Sequence, residues 1–370
     1  MTRRAKVLSA VLILVAVTLL SFALVLSHDS PCGAGPGVSA NTPAMKAVVH
    51  RCYGPPEVLR LEELPKPVPG DNGVLVKVHA ASINPLDWHS IRGNPYIMRL
   101  QMGIGTPEDV LLGVDFAGTV EAVGKSVTRF KPGDEVFGGR DGAIAEYVLV
   151  REQGAIAPKP ANMTFAQAAA VPVAAITALQ ALRDKGNLQP GQKVLINGAS
   201  GGVGTFAVQI ARSYGADVTG VASGRNEELV KALGANQFVD YTRTDYTEGP
   251  QRYDLIVDLV GNRSVRENRR VLKPNGVYLG IGGGGPEEGG LLGPMVGAIK
   301  LLVVSHFVSQ KLEFFIADLN KDDLAIMADL MQSGKVTPVI DRSYKLSETV
   351  AAVRYIEQGH ARGKVIITTE

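Results

Sequence analysis

The sequence predicts an α/β protein in two parts, a doubly wound parallel sheet and a separate β-rich domain, preceded by an N-terminal transmembrane helix. Three observations carry this expectation. Strands and helices alternate from Lys193 to Ile281, the sequence form of a parallel sheet with helical crossovers. Short strands punctuated by Gly and Pro fill the stretch from Lys46 to Val150. An uncharged run from Val7 to Leu26 opens the chain and is about as long as a membrane-crossing helix requires.

The run follows Arg3, Arg4 and Lys6. A cleaved signal peptide has a shorter apolar region and a nearby small-residue site. Val38-Ser39-Ala40 fits such a site but lies far from the run's end. A buried core helix would show a polar face, and the twin-arginine pattern around Arg3-Arg4 is incomplete. The expectation is an uncleaved single-pass anchor over residues 1–30, with a cleaved signal and secretion as the alternative. The basic flank belongs on the cytoplasmic side, which puts the remainder outside. Residues 31–44, rich in Gly, Pro, Ser and Ala, read as a flexible linker.

Strands are expected at Lys46–Val49, Val74–Ala80, Gly118–Val123, Lys131–Phe137 (a turn feeding a strand) and Ala145–Val150. Phe165 to Leu182 is Ala-rich and reads as one helix. Strands at Val194–Ile196, Asp217–Val221, Gln237–Asp240, Asp254–Asp258 and Val277–Ile281 then alternate with helices at Val203–Tyr214 and Glu227–Leu233. Asp322–Ser333 reads as a helix, and Lys364–Thr368 as a closing strand that returns to the first domain. The β-rich domain is therefore set at 45–168, completed by 321–370, and the parallel-sheet domain at 169–320. The 370 residues carry a net charge of +2, which argues against a nucleic-acid surface. Cys32 and Cys52 are too few for a disulfide framework and form no C-x-x-C pair; they read as free thiols, with a single disulfide as the alternative.

The strand Lys193–Asn197 runs straight into Gly198-Ala199-Ser200-Gly201-Gly202-Val203-Gly204, and a helix follows. Glycines let the backbone turn tightly and approach a pyrophosphate, while the helix N-terminus offers free N–H groups and the positive dipole end. Strand, turn and helix in this order point to a Rossmann-type dinucleotide site, in a variant with Ala199 at the usual first glycine. The acid that normally reads the ribose is missing: the second strand ends in Ser223-Gly224-Arg225. A hydroxyl and a guanidinium suit a 2′-phosphate, so the expected cofactor is NADPH. Its pool is cytosolic, which conflicts with the charge-based orientation and leaves the membrane side open.

Ala80-Ala81-Ser82-Ile83-Asn84-Pro85-Leu86-Asp87, Gly113-Val114-Asp115-Phe116-Ala117-Gly118-Thr119-Val120 and the glycine turn together resemble the zinc-independent quinone oxidoreductase branch of the medium-chain dehydrogenase/reductase superfamily, and within it the chloroplast-envelope quinone oxidoreductase homologs. The resemblance runs from about Met45 to the C-terminus and implies a chaperonin-10-like catalytic domain, a Rossmann domain, an interdomain cleft and frequent homodimerisation. Zinc-dependent members carry Cys where this chain has Asn84 and Gly-His-Glu where it has Gly113-Val114-Asp115. Without a Lewis acid an alcohol is a poor hydride donor, whereas a quinone or enone accepts hydride readily.

The resemblance assigns Asn84 to the nicotinamide cleft; the alternative is a turn residue before Pro85. Asp87 is a second candidate there, against a helix-capping carboxylate. Tyr96 is a proton donor or lid, against a structural aromatic. Thr177 is expected near the nicotinamide, against a Thr bonding back within its helix. Tyr241 would pack near the adenosine phosphate, Gly282 would back the nicotinamide, and Lys364 would approach the cofactor or cleft, against a surface lysine. The expected function is an NADPH-dependent reductase of a quinone or enone. A membrane-tethered NADPH-binding protein with little turnover, and a zinc-type alcohol dehydrogenase, are the alternatives.

Overall fold

The computed structural model describes residues 3–35, 37–39, 41–283, 290–293 and 295–369, with side chains of 3–12 and 15 outside the description. The N-terminal run forms α1 (Arg3–Ser27). Among the described residues no helix is long and apolar enough to cross a membrane, and that statement does not reach the side chains of 3–12 and 15. Ala40 of the candidate cleavage site also lies outside the description.

Past the linker, β1 (Ala44–His50) pairs antiparallel with β2 (Leu59–Pro65). The long β3 (Gly73–Ile83) leads into α2 (Pro85–Arg92), where Pro85 sits at N1, the position that tolerates its missing N–H. Gly93 ends α2 with φ 59°, a left-handed cap that favours glycine. The short α3 (Arg99–Met102) precedes β4 (Asp115–Val123), β5 (Glu135–Gly139), β6 (Tyr147–Arg151) and β7 (Ile156–Pro158). The expected helix from Phe165 to Leu182 is two helices, α4 (Phe165–Ala169) and α5 (Pro172–Gln180). Pro172 is the reason: it has no N–H to donate and its ring clashes with the preceding turn. The Ala-rich pair fits closely between the two sheets, in one core with Phe137 from one and Ile196 and Val257 from the other.

The second sheet holds the expected β8 (Lys193–Asn197), α6 (Gly202–Ser213), β9 (Asp217–Ala222), α7 (Glu227–Ala232), β10 (Gln237–Asp240), β11 (Tyr253–Asp258) and β12 (Leu272–Gly280), and adds three elements outside the expectation, α8 (Val265–Val271), α9 (Met295–Ser305) and β13 (Lys311–Phe314). Its order is β10-β9-β8-β11-β12-β13, all parallel, so the strand order reverses between β8 and β11. Ligands of such sheets bind at the carboxyl ends of the strands beside that reversal.

The chain then returns. α10 (Lys321–Gln332), β14 (Ile340–Lys345), α11 (Thr349–Glu357) and β15 (Lys364–Thr368) follow. β15 pairs antiparallel with β3, so the last strand completes the first sheet, ordered β14-β15-β3-β4-β5-β7 with β6 also on β3. The strand at the C-terminus thus returns to the β-rich domain as the sequence suggested.

Cys32 and Cys52 form a disulfide, with Cα atoms 4.7 Å apart, so the expectation of free thiols is corrected. The linker folds back and brings Cys32 to the strand end after β1. Arg99 holds the same junction. Its buried guanidinium donates to the carbonyls of Leu26 (3.0 Å) and His28 (3.1 Å) and pairs with Asp29 at 2.8 Å. A cation there also suits the C-terminal end of α1.

Candidate active site

The glycine turn sits at the carboxyl end of β8, beside the strand-order reversal. Gly198 takes φ +90°, a conformation that favours glycine. Gly204 must be glycine for another reason: a Cβ there would stand 2.1 Å from the Gly198 carbonyl oxygen, so only a bare Cα lets α6 approach the turn. Gly201 caps α6 without a side-chain acceptor, so the N–H groups of Gly202, Val203 and Gly204 have no partner within the helix. Ala199 is buried and its N–H donates to Val221. Gly282, just past β12, is equally constrained, since a Cβ would meet the Leu259 carbonyl at 2.1 Å. These glycines form a cradle of bare backbone that suits a pyrophosphate and a nicotinamide ring.

Ser223 follows β9, and Asn226 ties it to the turn by donating to Ser223 Oγ and Ser200 Oγ, each at 3.0 Å. Asn226 Oδ1 is buried without a partner, a polar atom aimed at this corner. Arg225 is exposed; its Nη2 donates to the His360 carbonyl at 3.1 Å, and it lines an open pocket of about 550 Å³ with Glu227, Glu228 and Lys231. Glu227 pairs with Lys231 at 2.6 Å, so one of the acids is already matched. An acid does reach this corner, from β10 instead of β9. Asp240 accepts from the Gly224 backbone, and the Thr242 hydroxyl holds its carboxyl below the usual range. Tyr241 beside it is exposed, and its N–H donates to Ala222 at 3.2 Å.

The catalytic-side candidates converge differently. Lys364, the first residue of β15, is 3% exposed and forms an ion pair at 3.2 Å with Asp115, which is 0% exposed. Its Nζ also donates to Asn84 Oδ1. The Asn84 amide returns a hydrogen bond to Asp115 Oδ2 at 2.9 Å, and Ser82 Oγ donates there at 2.7 Å. The Val173 N–H satisfies Asp115 Oδ1 at 2.9 Å. Gly363 bridges to Gly201 and donates to the Ser200 carbonyl at 2.9 Å, which sets Lys364 against the glycine turn. The structure therefore brings Asn84, Lys364 and Ser200–Gly202 together where the two sheets meet.

Asp87 lies beside them, but its carboxylate accepts from the Asn84 N–H at 2.7 Å, the reciprocal half of a capping box. Burial pushes its carboxyl up to about 7. Thr177 Oγ1 bonds back to the Val173 carbonyl at 2.7 Å. Tyr96 belongs to another cluster, its ring 4.7 Å from the Arg99 guanidinium carbon. Sequence reasoning missed Ser82, Asp115 and Asn226 as site residues. Asp115 had a signal, since it stands where zinc-dependent members carry Glu.

Comparison with known proteins places the chain in a family. Residues 70–161 match the family described as alcohol dehydrogenase GroES-like domain, and 233–367 match the family described as zinc-binding dehydrogenase. The chain is 34% identical to the mouse (Mus musculus) protein named NAD(P)H oxidoreductase RTN4IP1, mitochondrial, over 89% of this chain and 90% of that one. It is 33% identical to the Arabidopsis thaliana NADPH-dependent alkenal/one oxidoreductase, chloroplastic, over 87% of this chain and 79% of that one. The solved quinone oxidoreductase of Coxiella burnetii superposes with a TM-score of 0.79 at 32% identity, covering 89% of this chain and 100% of that one. With a GroES-like domain, a six-stranded parallel Rossmann sheet and this level of identity along nearly its whole length, the chain belongs to the medium-chain dehydrogenase/reductase superfamily, in its quinone oxidoreductase and RTN4IP1-like branch.

Proposed function

We propose that the protein is a zinc-independent, NADPH-dependent reductase that transfers hydride to a quinone or an α,β-unsaturated carbonyl. The observation that carries this is the buried Lys364–Asn84–Asp115 cluster laid against the glycine turn. An ammonium has three N–H donors and an amide two. Each of these groups keeps a donor beyond the bonds described above, ready for an acceptor oxygen. The relatives' names, NAD(P)H oxidoreductase and alkenal/one oxidoreductase, support the same reading.

In this reading Ala199, Ser200, Gly201, Gly202, Val203 and Gly204 hold the pyrophosphate. Ser223 and Arg225 read the 2′-phosphate, Tyr241 flanks the adenosine, and Thr177 and Gly282 border the nicotinamide. Bound NADPH supplies the hydride. Lys364 and Asn84 hold the oxygen on which negative charge develops, and preplaced donors in a water-poor site are worth far more than in water. Lys364 Nζ carries a proton that the oxygen can take. Asp115 fixes Lys364 and Asn84 in place; Asp87 positions Asn84 through its backbone N–H. Among the described residues no group of three His, Cys, Asp or Glu converges for a metal, and both cysteines are disulfide-bonded; these support zinc independence.

The same proposal keeps 45–168 with 321–370 as the catalytic domain, 169–320 as the cofactor domain, 31–44 as linker and 1–30 as an uncleaved membrane anchor. The uncharged Val7–Leu26 run supports the anchor. So does Cys32, which lies upstream of Val38-Ser39-Ala40 and is bonded downstream to Cys52. Homodimerisation is supported by β13, an edge strand of the parallel sheet. The test is NADPH absorbance, using full-length protein in detergent with a panel of quinones and enones, with and without chelator. Turnover insensitive to chelation is expected. Cofactor binding with no oxidation above background would give the tethered binding protein instead, and activity lost on chelation and restored by zinc would give the zinc enzyme.

A further inference from the structure

The outward stripe of α9 is apolar. Met295, Val296, Ile299, Leu302 and Val303 are all exposed, Leu302 by 62%. At 100° per residue they fall within one arc of about 120°. The opposite side carries buried Leu301, which packs in one core with Tyr278 and Leu312 of the parallel sheet. Phe307, just past the helix, is 83% exposed.

This stripe is not isolated. The single turn Tyr96–Met98 donates from Tyr96 to the Gly290 carbonyl at 3.1 Å and from Ile97 to the Leu291 carbonyl at 3.0 Å, so it holds the segment that leads into α9. Arg99, the next residue, is the clamp on the end of α1. Exposed Leu100 and Ile104 lie in the same stretch of chain, and Gly105 accepts from the Ser30 N–H at 2.9 Å. Both helices therefore hang on one junction, with apolar side chains at it.

α1 says what covers this surface. Its exposed Ile13, Leu14, Val17, Leu19, Phe22 and Val25 point to all sides of the helix instead of forming a stripe. A protein groove covers one side of a helix; an apolar solvent covers every side. With 11 residues, α9 is about 16 Å long and too short to cross a bilayer, but it has the length and one-sided apolar face of an interfacial helix.

We propose that the α9 stripe docks into the same bilayer that receives α1, and that the acceptor is a membrane-partitioned quinone or enone. The second half rests on the reductase reading above. The docking half rests on the anchor reading instead.

The experiment uses the full chain in vesicles of phosphatidylcholine and phosphatidylglycerol. A Leu302→Trp variant reports from the stripe, and the unsubstituted chain corrects for buried Trp88. Bromine-labelled lipid should quench the new emission, and aqueous iodide should leave it largely untouched. Quenching by iodide and not by lipid overturns docking. Shielding from both, with two chains cross-linked per particle, overturns it in favour of a second copy of this chain. A Leu302→Glu/Val303→Glu variant should then turn over a short water-soluble quinone at the wild-type rate, while losing fivefold or more on a long-chain quinone supplied in the vesicles. Equal loss on both, or on neither, refutes entry from the membrane. If wild type oxidises NADPH with no quinone or enone, the reductase reading fails while lipid quenching still stands.

Discussion

Lys364 offers the sharpest energetic test. Lys364→Met keeps most of the side-chain length and removes the charge. Asp115, at 0% exposure, would be left with Ser82, Asn84 and the Val173 N–H as neutral donors. Removing one partner of a buried pair costs about 3–5 kcal/mol, because the remaining charge stays buried and uncompensated. The three remaining donors put this case at the low end, about 3 kcal/mol. At roughly 2–4 °C per kcal/mol for a cooperative unit of about 150–250 residues, Tm should fall by about 6–12 °C. Adding Asp115→Asn removes the stranded charge, so the double variant should recover about 2 kcal/mol relative to the sum of the singles. Circular dichroism of the full chain in detergent at pH 7 measures all four corners of the cycle. Additivity within about 0.5 kcal/mol would refute the pairing. Activity provides a second check: kcat/KM should stay low in the double variant, since Nζ is absent there too. Restored activity would show that Lys364 does not act on the acceptor.

Three further outcomes follow from the same geometry. Burial raises the Asp87 carboxyl from 3.8 to about 7, so the folded chain holds a proton there that the unfolded chain releases; this contribution is complete below about pH 4 and is lost as pH rises through 7. Asp87→Asn should flatten the stability profile between pH 5 and 8 in urea melts, and an unchanged slope counts against it. Gly204→Ala forces a Cβ to within 2.1 Å of the Gly198 carbonyl and should lower Tm and dinucleotide affinity together, whereas Gly201→Ala, whose nearest neighbour is 3.5 Å away, should keep its Tm. Arg225→Ala should weaken NADPH binding about 10- to 100-fold, the equivalent of one hydrogen bond to a charged group, and leave NADH binding unchanged in calorimetry at fixed ionic strength.

What was legible in the sequence was local. Strand, glycine turn and helix adjoin in the chain, so Lys193–Gly204 announced its own geometry. The tail Lys364–Thr368 could be read as a closing strand that returns to the first domain. Thr177 bonding back to Val173 is an i, i−4 contact and was one of the two readings open to it. The missed features depend on distant residues meeting. Cys32 and Cys52 reveal nothing of their pairing until the linker folds back. Arg99 reads as an ordinary basic residue, yet it is buried because the end of α1 supplies carbonyls for it. The acid near Gly224 comes from β10, a neighbour in the sheet and not in the chain. Pro172 was visible, but the Ala-rich composition around it outweighed the break it imposes.

The pairing of β15 with β3 has a consequence for synthesis. Val365 lies opposite Ile83, so the first sheet stays open on that side until residue 365 leaves the ribosome. At about 5–20 residues per second, β3 waits between about 14 and 56 s for its neighbour. Lys364 arrives with that strand, so the parallel sheet and its glycine turn can form before the cluster that would meet the acceptor. A nascent chain stalled short of residue 364 would lack the cation proposed to meet the acceptor, whatever cofactor it could hold.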